Sequence, residues 1–167
     1  MTVRQLQQLY AVTFVVTAVA AIVVSIVASH LVYNATPSLP LGFYWMSRAR
    51  AIRRSDVVAF KIPPNVERLV QERHYLPGNA LLLKPVIAAA GDEVCTTDGI
   101  LRVNGVIVGI VRTEDSGGHP LPHEPWCGPV PEDAVFVASP HPMSFDSRTF
   151  GLVPIRAVLG TVVPLWT

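Results

Sequence analysis

The feature that most constrains this chain of 167 residues is a long uncharged segment near its N-terminus. No Asp, Glu, Lys or Arg lies between Arg4 and Arg48, and the apolar run extends from Tyr10 to Tyr33. A helix of about 24 residues at ~1.5 Å per residue measures roughly 36 Å, which is enough to cross a hydrocarbon core of ~30 Å. Because a backbone in lipid must satisfy its own hydrogen bonds, we predict one transmembrane helix here.

Two other interpretations of this segment stay open: a signal peptide cleaved near Ala28, and a buried helix of a soluble protein. The run exceeds the roughly 7–15 residues of a signal-peptide core. Arg4 and the α-amine give the N-terminal side a weak positive bias, which favours a cytoplasmic N-terminus and an exported C-terminal part. We therefore expect the lipid bilayer as a partner, and divide the chain into a cytoplasmic tip with its anchor, 1–33, and a folded domain, 34–167.

The remaining sequence favours a mainly β domain and gives no support for nucleic-acid binding. The formal net charge is only +1, and no basic cluster is interleaved with aromatic residues. Residues 55–62 alternate as in a strand, Asn104-Gly105 predicts a hairpin turn, and 63–76 favour a short helix. Residues 112–131 are rich in Pro, Gly and His, and we expect a long loop there.

The chain has two cysteines, Cys95 and Cys127. If the domain faces an oxidising compartment, the pair can form a disulfide; two unrelated buried thiols are the alternative. The spacing of His119, His123 and Cys127 is similar to that of zinc ligands. It lies in a loop, where this spacing does not bring side chains together, and a fourth ligand is not evident. We therefore predict no metal site.

A serine lies in a stiff segment just after the apolar run. In "NATPSLPLGFYW", Pro37 and Pro40 flank Ser38. The residue before each proline is driven toward extended conformations, so residues 34–47 are predicted to form an extended, non-helical approach to the domain. The segment is either a linker or the position of a nucleophile, whose hydroxyl needs a base to remove its proton.

The candidate base is a lysine. The five histidines lie in no recognisable triad context, and no G-x-S-x-G motif is present. Lys84 ends the apolar run "ALLLK", where loss of water lowers the pKa of an amine toward neutrality. The alternative is that Lys84 reaches the surface from the end of a strand.

A third polar segment, "SFDSRTFG", follows near the C-terminus. In a strand, Asp146 and Arg148 would face the same side and could form an ion pair, and Ser144 would add a hydroxyl. Such a group could orient a neutral lysine. An ordinary polar loop is the alternative.

Together these segments resemble the type I signal peptidase family, the Ser–Lys peptidases. "TPSLPLGFYW" is similar to its serine motif, "LLLKPVIAAAGDEV" to its lysine motif, and "SFDSRTFG" to its Ser-x-Asp-Ser-Arg motif, in the family's order. Leu39 after the serine and Ala90 before Gly91-Asp92 differ from the general secretory enzymes. These differences favour the conjugative-transfer branch, which matures pilin precursors.

The resemblance implies a signal-peptidase-like β-fold and a serine endopeptidase mechanism that needs no cofactor. Ser38 would attack the scissile carbonyl, and Lys84 would act as the general base. The Ser38 N–H and the Thr36 hydroxyl would stabilise the oxyanion.

The resemblance also assigns supporting residues, a substrate and a location. Ser144 would orient the lysine, and Asp146 and Arg148 would form a structural ion pair. The partner would be an exported precursor of the pilin type, cleaved at the periplasmic face of a bacterial inner membrane. In the conjugative branch the new terminus can also be joined to the N-terminus, which gives a cyclic subunit.

Three other functions are weighed against this interpretation. General signal-peptide removal would use the same residues. A non-catalytic envelope assembly protein should lack the serine or the lysine, and this chain has both. A self-cleaving regulator of the repressor type would carry a DNA-binding head where this chain has its apolar segment.

Overall fold

The computed structural model describes residues 2–49, 51–77, 80–123 and 125–166. One long helix precedes a mainly β domain, which confirms the predicted fold class. In chain order the elements are α1 (Val3–His30), β1 (Leu31–Asn34), β2 (Gly42–Ser47), β3 (Val57–Lys61), α2 (Pro64–Glu72), β4 (Leu81–Ala88), β5 (Glu93–Cys95), β6 (Ile100–Val103), β7 (Val106–Ile110), β8 (Cys127–Pro129), β9 (Ala134–Val137), α3 (Ser147–Phe150), β10 (Val153–Pro154) and β11 (Val158–Trp166).

Helix α1 is long and apolar enough to cross a membrane, with a mean hydropathy of 2.7 and no described residue buried against the domain. A capping box closes its first turn: Thr2 Oγ1 accepts from the Gln5 N–H, and the Gln5 side chain accepts from the Thr2 N–H. The helix ends at His30, earlier than the predicted Tyr33. The reason is tertiary, because residues 31–34 pair with β2 as a strand.

Seven strands form the larger sheet, in the order β1-β2-β11-β3-β4-β9-β10. Its neighbouring strands pair antiparallel, and β4 lies between β3 and β9. The segment 34–47 is non-helical, as predicted, and its second half is the strand β2, which occupies 42–47 and pairs on both sides, with β1 and β11. The Pro-flanked serine turn is therefore held between two paired strands.

The amphipathic helix α2 covers the core of this sheet. Pro64 begins the helix, a position where the missing N–H costs nothing, and Val66 and Val70 are buried one turn apart. They pack in one cluster with Phe60 of β3 and Val137 of β9. This packing holds α2 against β3, β4 and β9.

The smaller sheet has four strands, in the order β7-β6-β5-β8. Its hairpin turns at Asn104 and Gly105, whose φ values of 50° and 79° are the positive pair that a type I′ turn requires. The predicted loop over residues 112–131 is interrupted by β8, which pairs with β5. This pairing places Cys127 opposite Cys95, and the two form a disulfide.

Loss of this disulfide is expected to destabilise the domain. The bond closes a loop of 32 residues, and loop-closure entropy predicts a contribution of about 3–4 kcal/mol. The double variant of Cys95→Ala and Cys127→Ala should therefore unfold at lower urea than the oxidised wild type. Reduced wild type should match the double variant, and equal urea midpoints for all three would contradict the expectation.

Candidate active site

Ser38 lies in the turn between β1 and β2 and is 9% exposed. Its Oγ lies 3.1 Å from Thr36 Oγ1. Its carbonyl oxygen accepts a hydrogen bond from the hydroxyl of Ser139, a residue that follows β9. The serine is thus held at its side chain and at its backbone.

Two further side chains, Asn34 and Tyr44, fix the turn, and neither was predicted from the sequence. Asn34 Nδ2 donates to three carbonyl oxygens of the turn, and Tyr44 Oη donates to the Pro40 carbonyl at 2.9 Å. A signal existed, because Pro37 and Pro40 remove backbone donors and the buried carbonyls of such a turn need outside ones. An asparagine at the start of the segment is a suitable donor.

Lys84 lies in the middle of β4, opposite Val58 of β3, and is 3% exposed. It does not reach the surface, so that alternative is wrong. Its Nζ donates to Ser144 Oγ at 2.8 Å. Burial lowers the pKa of Lys84 to about 8; the Asp146 charge raises the pKa and the Arg148 charge lowers it. A substantial fraction of the amine is therefore neutral in mildly alkaline solution.

Asp146 and Arg148 form a buried ion pair at the start of a short helix, and not in the strand or the ordinary polar loop that the sequence left open. Asp146 caps the short helix α3, and its carboxylate accepts from the Arg148 side chain at 2.7 and 2.8 Å. The guanidinium also donates to the carbonyls of Ser139 and His141, each at 3.1 Å. Asp146 in turn accepts from the Ser139 N–H at 3.1 Å. The pair thereby fixes Ser139, whose hydroxyl holds the Ser38 carbonyl.

Ser38, Lys84 and Ser144 line one cavity of about 350 Å³. Thr36 and His141 also line this cavity. Within the described parts of the chain, no direct hydrogen bond joins Ser38 Oγ to Lys84 Nζ. In unliganded sites such bonds are often long and shorten when substrate binds. The arrangement provides a hydroxyl nucleophile and a desolvated amine at one cavity.

The candidate zinc ligands do not converge. His119 lies 3.3 Å from the Asp115 carboxylate, while the ring nitrogens of His123 face the carbonyls of Arg148 and Thr96 at 3.1 Å. The sulfur of Cys127 is bonded to Cys95.

The chain matches known proteins over most of its length. The family model described as "Signal peptidase, peptidase S26" covers residues 5–166. The plasmid transfer protein TraF of Escherichia coli is 32% identical over 146 residues, which are 80% of this chain and 81% of that protein. A probable conjugal transfer protein TraF of Sinorhizobium fredii is 36% identical over 138 residues, which are 76% and 72%. Thylakoidal processing peptidase 1 of Arabidopsis thaliana is 36% identical over 110 residues, which are 65% and 31%.

These matches confirm the resemblance that rests on the three motifs. The match extends from α1 to the last strand, so it includes the serine turn, β4 and α3. The chain covers more than two thirds of the length of several relatives, and conjugal transfer proteins are among them. The chain belongs to the signal peptidase family, peptidase S26.

Proposed function

We propose that the chain is a membrane-anchored serine endopeptidase that removes signal segments or pro-segments from exported precursors. Ser38 is the nucleophile and Lys84 the general base. The observation that carries this proposal is the buried Lys84 amine, held by Ser144 at 2.8 Å in the cavity that Ser38 also lines. A lysine kept from water inside a strand has little structural benefit, because its charge is costly to bury.

The proposed reaction has two stages. Ser38 Oγ attacks the scissile carbonyl carbon while the neutral Lys84 amine takes the hydroxyl proton. The ammonium then returns this proton to the leaving amine as the scissile C–N bond breaks. The C-terminal fragment departs with its new N-terminus, and the N-terminal fragment remains as an ester on Ser38 Oγ. Lys84 next takes a proton from water, whose oxygen attacks the ester and releases the acid and the Ser38 hydroxyl. The Ser38 N–H and the Thr36 hydroxyl are the proposed donors to the oxyanion.

An extended substrate fits the free edge of β4. Residues 81–84 pair with β3 on one side, whereas on the other side the pairing with β9 begins only at Val86. In the described chain no strand occupies that edge beside Lys84. A peptide added there as a further strand would bring its scissile bond to the cavity, with backbone hydrogen bonds supplying affinity.

The proposed location is the periplasmic face of a bacterial inner membrane. A group of exposed apolar residues lies where α1 enters the domain; its members include Tyr33, Phe43 and Trp166. Aromatic rings of this kind favour the membrane interface. The disulfide suits an oxidising compartment. A nucleophile in the turn directly after β1 would therefore act close to the lipid surface.

The relatives named as plasmid and conjugal transfer proteins support a role in conjugative transfer. The resemblance to the conjugative-transfer branch makes a pilin-type precursor the proposed substrate. An amine can resolve an acyl-enzyme as water does, so the same site could close a peptide into a ring with loss of one water. The thylakoidal processing peptidase among the relatives supports general signal removal as the second candidate.

A co-expression assay tests the proposal. A tagged pilin-type precursor and a tagged general secretory precursor are each expressed with wild type, Ser38→Ala or Lys84→Met, and product masses are measured. We expect wild type to process the pilin precursor and neither variant to do so at equal membrane levels. Processing by both variants would refute the dyad, and processing of the secretory precursor alone would refute the pilin assignment. A product lighter than the linear peptide by one water would establish cyclisation.

The rate of cleavage is expected to rise with pH. Lys84 must be neutral to accept a proton, and burial lowers its pKa to about 8. The value of kcat/KM should therefore increase roughly tenfold per pH unit below about 8 and level off above it. Steady-state cleavage of a peptide by the detergent-solubilised full chain measures this profile. A rate independent of pH through that range would show that Lys84 is not the base.

A further inference from the structure

We propose that Asn34 is a positioning residue for the nucleophile, whose amide fixes the serine turn and sets the direction of the hydrogen bonds that join Thr36 and Ser38. This inference rests on the proposed function, because it concerns how Ser38 reacts. Asn34 ends β1 and is 5% exposed. None of the three sequence motifs identified its role.

The contacts of Asn34 determine how its amide is oriented. Nδ2 lies 3.0 Å from the carbonyl oxygen of Thr36, 3.1 Å from that of Leu39 and 3.0 Å from that of Pro40. Carbonyl oxygens only accept hydrogen bonds, so the amide atom among three of them must be the nitrogen. The amide oxygen therefore faces Thr36, whose backbone N–H and hydroxyl lie 3.3 and 3.1 Å from it.

This orientation decides which hydroxyl donates to which. A hydroxyl has one proton, and the Asn34 amide oxygen can only accept, so Thr36 Oγ1 donates its proton to Asn34. The contact of 3.1 Å between Thr36 Oγ1 and Ser38 Oγ must then be donated by Ser38. The hydrogen bonds run from Ser38 to Thr36 to Asn34. In the resting site the Ser38 hydroxyl therefore donates its hydrogen bond to Thr36 and not to Lys84.

Asn34 thereby prepares Thr36 for two roles. Thr36 accepts the hydrogen bond of Ser38 in the resting site, and it donates to the oxyanion during the reaction. Asn34 holds Thr36 Oγ1 beside Ser38 Oγ while the Ser38 hydroxyl rotates to direct its proton at Lys84. The Thr36 hydroxyl can then redirect its hydrogen bond from the Asn34 amide oxygen to the oxyanion, while Thr36 Oγ1 stays in the same position. A displacement of about 1 Å at a reacting group can cost about 10²-fold in rate. Loss of the amide is therefore expected to slow the chemical step more than it weakens substrate binding.

The test is a double-mutant cycle on the purified full chain in detergent, with a peptide substrate. We expect Asn34→Ala to lower kcat by about 30- to 100-fold and to change KM by less than about threefold. In a Thr36→Val background the same change should cost at least about threefold less than in wild type, because the part of its effect that passes through the Thr36 hydroxyl is already lost. Thr36→Ser, which keeps the hydroxyl, should retain most of the activity.

Two controls separate positioning from folding. Asn65→Ala removes another asparagine amide, which donates to the Phe150 carbonyl at 3.1 Å, and should keep kcat within about twofold. Thermal melting checks that each variant is folded. If Asn34→Ala does not fold, Asn34→Asp keeps the shape and the acceptor for Thr36 but loses the donor to the turn, and is expected to lower kcat at least tenfold.

Three results would overturn the inference. The first is a kcat for folded Asn34→Ala or Asn34→Asp within about twofold of wild type. The second is an equal cost of Asn34→Ala with and without the Thr36 hydroxyl, since additive effects would mean that Asn34 does not act through Thr36. The third is cleavage by Ser38→Ala at the wild-type rate. Only this last result refutes the proposed function as well, so the two failures are distinguishable.

Discussion

Lys84→Met is expected to reduce cleavage by about 10³-fold or more while the domain stays folded. Methionine fills similar space on β4, but it cannot accept the proton of Ser38. The chain offers a matched control, because its second lysine, Lys61, is exposed at the end of β3. Lys61→Met should cleave at the wild-type rate. More than about a tenth of wild-type activity in Lys84→Met would contradict the proposal and point to His141, which also lines the cavity.

The same pair of variants tests the burial of Lys84 by a measurement of stability that does not depend on activity. Burial lowers the pKa of Lys84 to about 8 from 10.5, so between these values the unfolded chain binds a proton that the folded chain does not. The free energy of unfolding from this group therefore increases with pH through that window. Lys84→Met should remove this increase, and Lys61→Met should keep it. Urea unfolding at several pH values measures the difference, and identical pH dependence in both variants would show that Lys84 is not desolvated.

Asp146→Ala is expected to lower the free energy of unfolding by about 3–5 kcal/mol, because it leaves the Arg148 guanidinium buried without its partner. Asp146 is fully buried and Arg148 is 7% exposed, so water cannot replace the lost contact. The change also removes the cap of α3 and the acceptor for the Ser139 N–H. Because Ser139 holds the Ser38 carbonyl, cleavage should fall together with stability.

An exposed ion pair is the control for this expectation. Arg68 and Glu72 lie one turn apart on α2, with side chains 90% and 64% exposed. Glu72→Ala should change the free energy of unfolding by less than about 0.5 kcal/mol, since solvent screens such pairs. Chemical denaturation of both variants tests the contrast. Similar small losses for both would mean that the buried pair is dispensable.

The sequence predicted those parts of the site that depend on local patterns. Ser38, Lys84 and the Asp146 segment were identified because each lies in a short motif, and the motifs occur in a fixed order. Asn34 and Ser139 were missed, because their roles depend on which carbonyl oxygens lie near them. Ser139 contacts Ser38 only because the serine turn and the segment after β9 meet in the folded domain. Periodicity within a segment does not report contacts of this kind.

The same distinction applies to the fold. The uncharged run alone determined a long apolar helix, because hydropathy acts residue by residue and needs no partner. Asn104-Gly105 alone determined a hairpin turn, because these residues tolerate the positive φ that it requires. By contrast, the tertiary structure decided that α1 ends at His30 and that residues 31–34 and 42–47 are strands. It also decided that Lys84 is buried beside Ser144, since strand pairing and loss of water depend on residues distant in the chain.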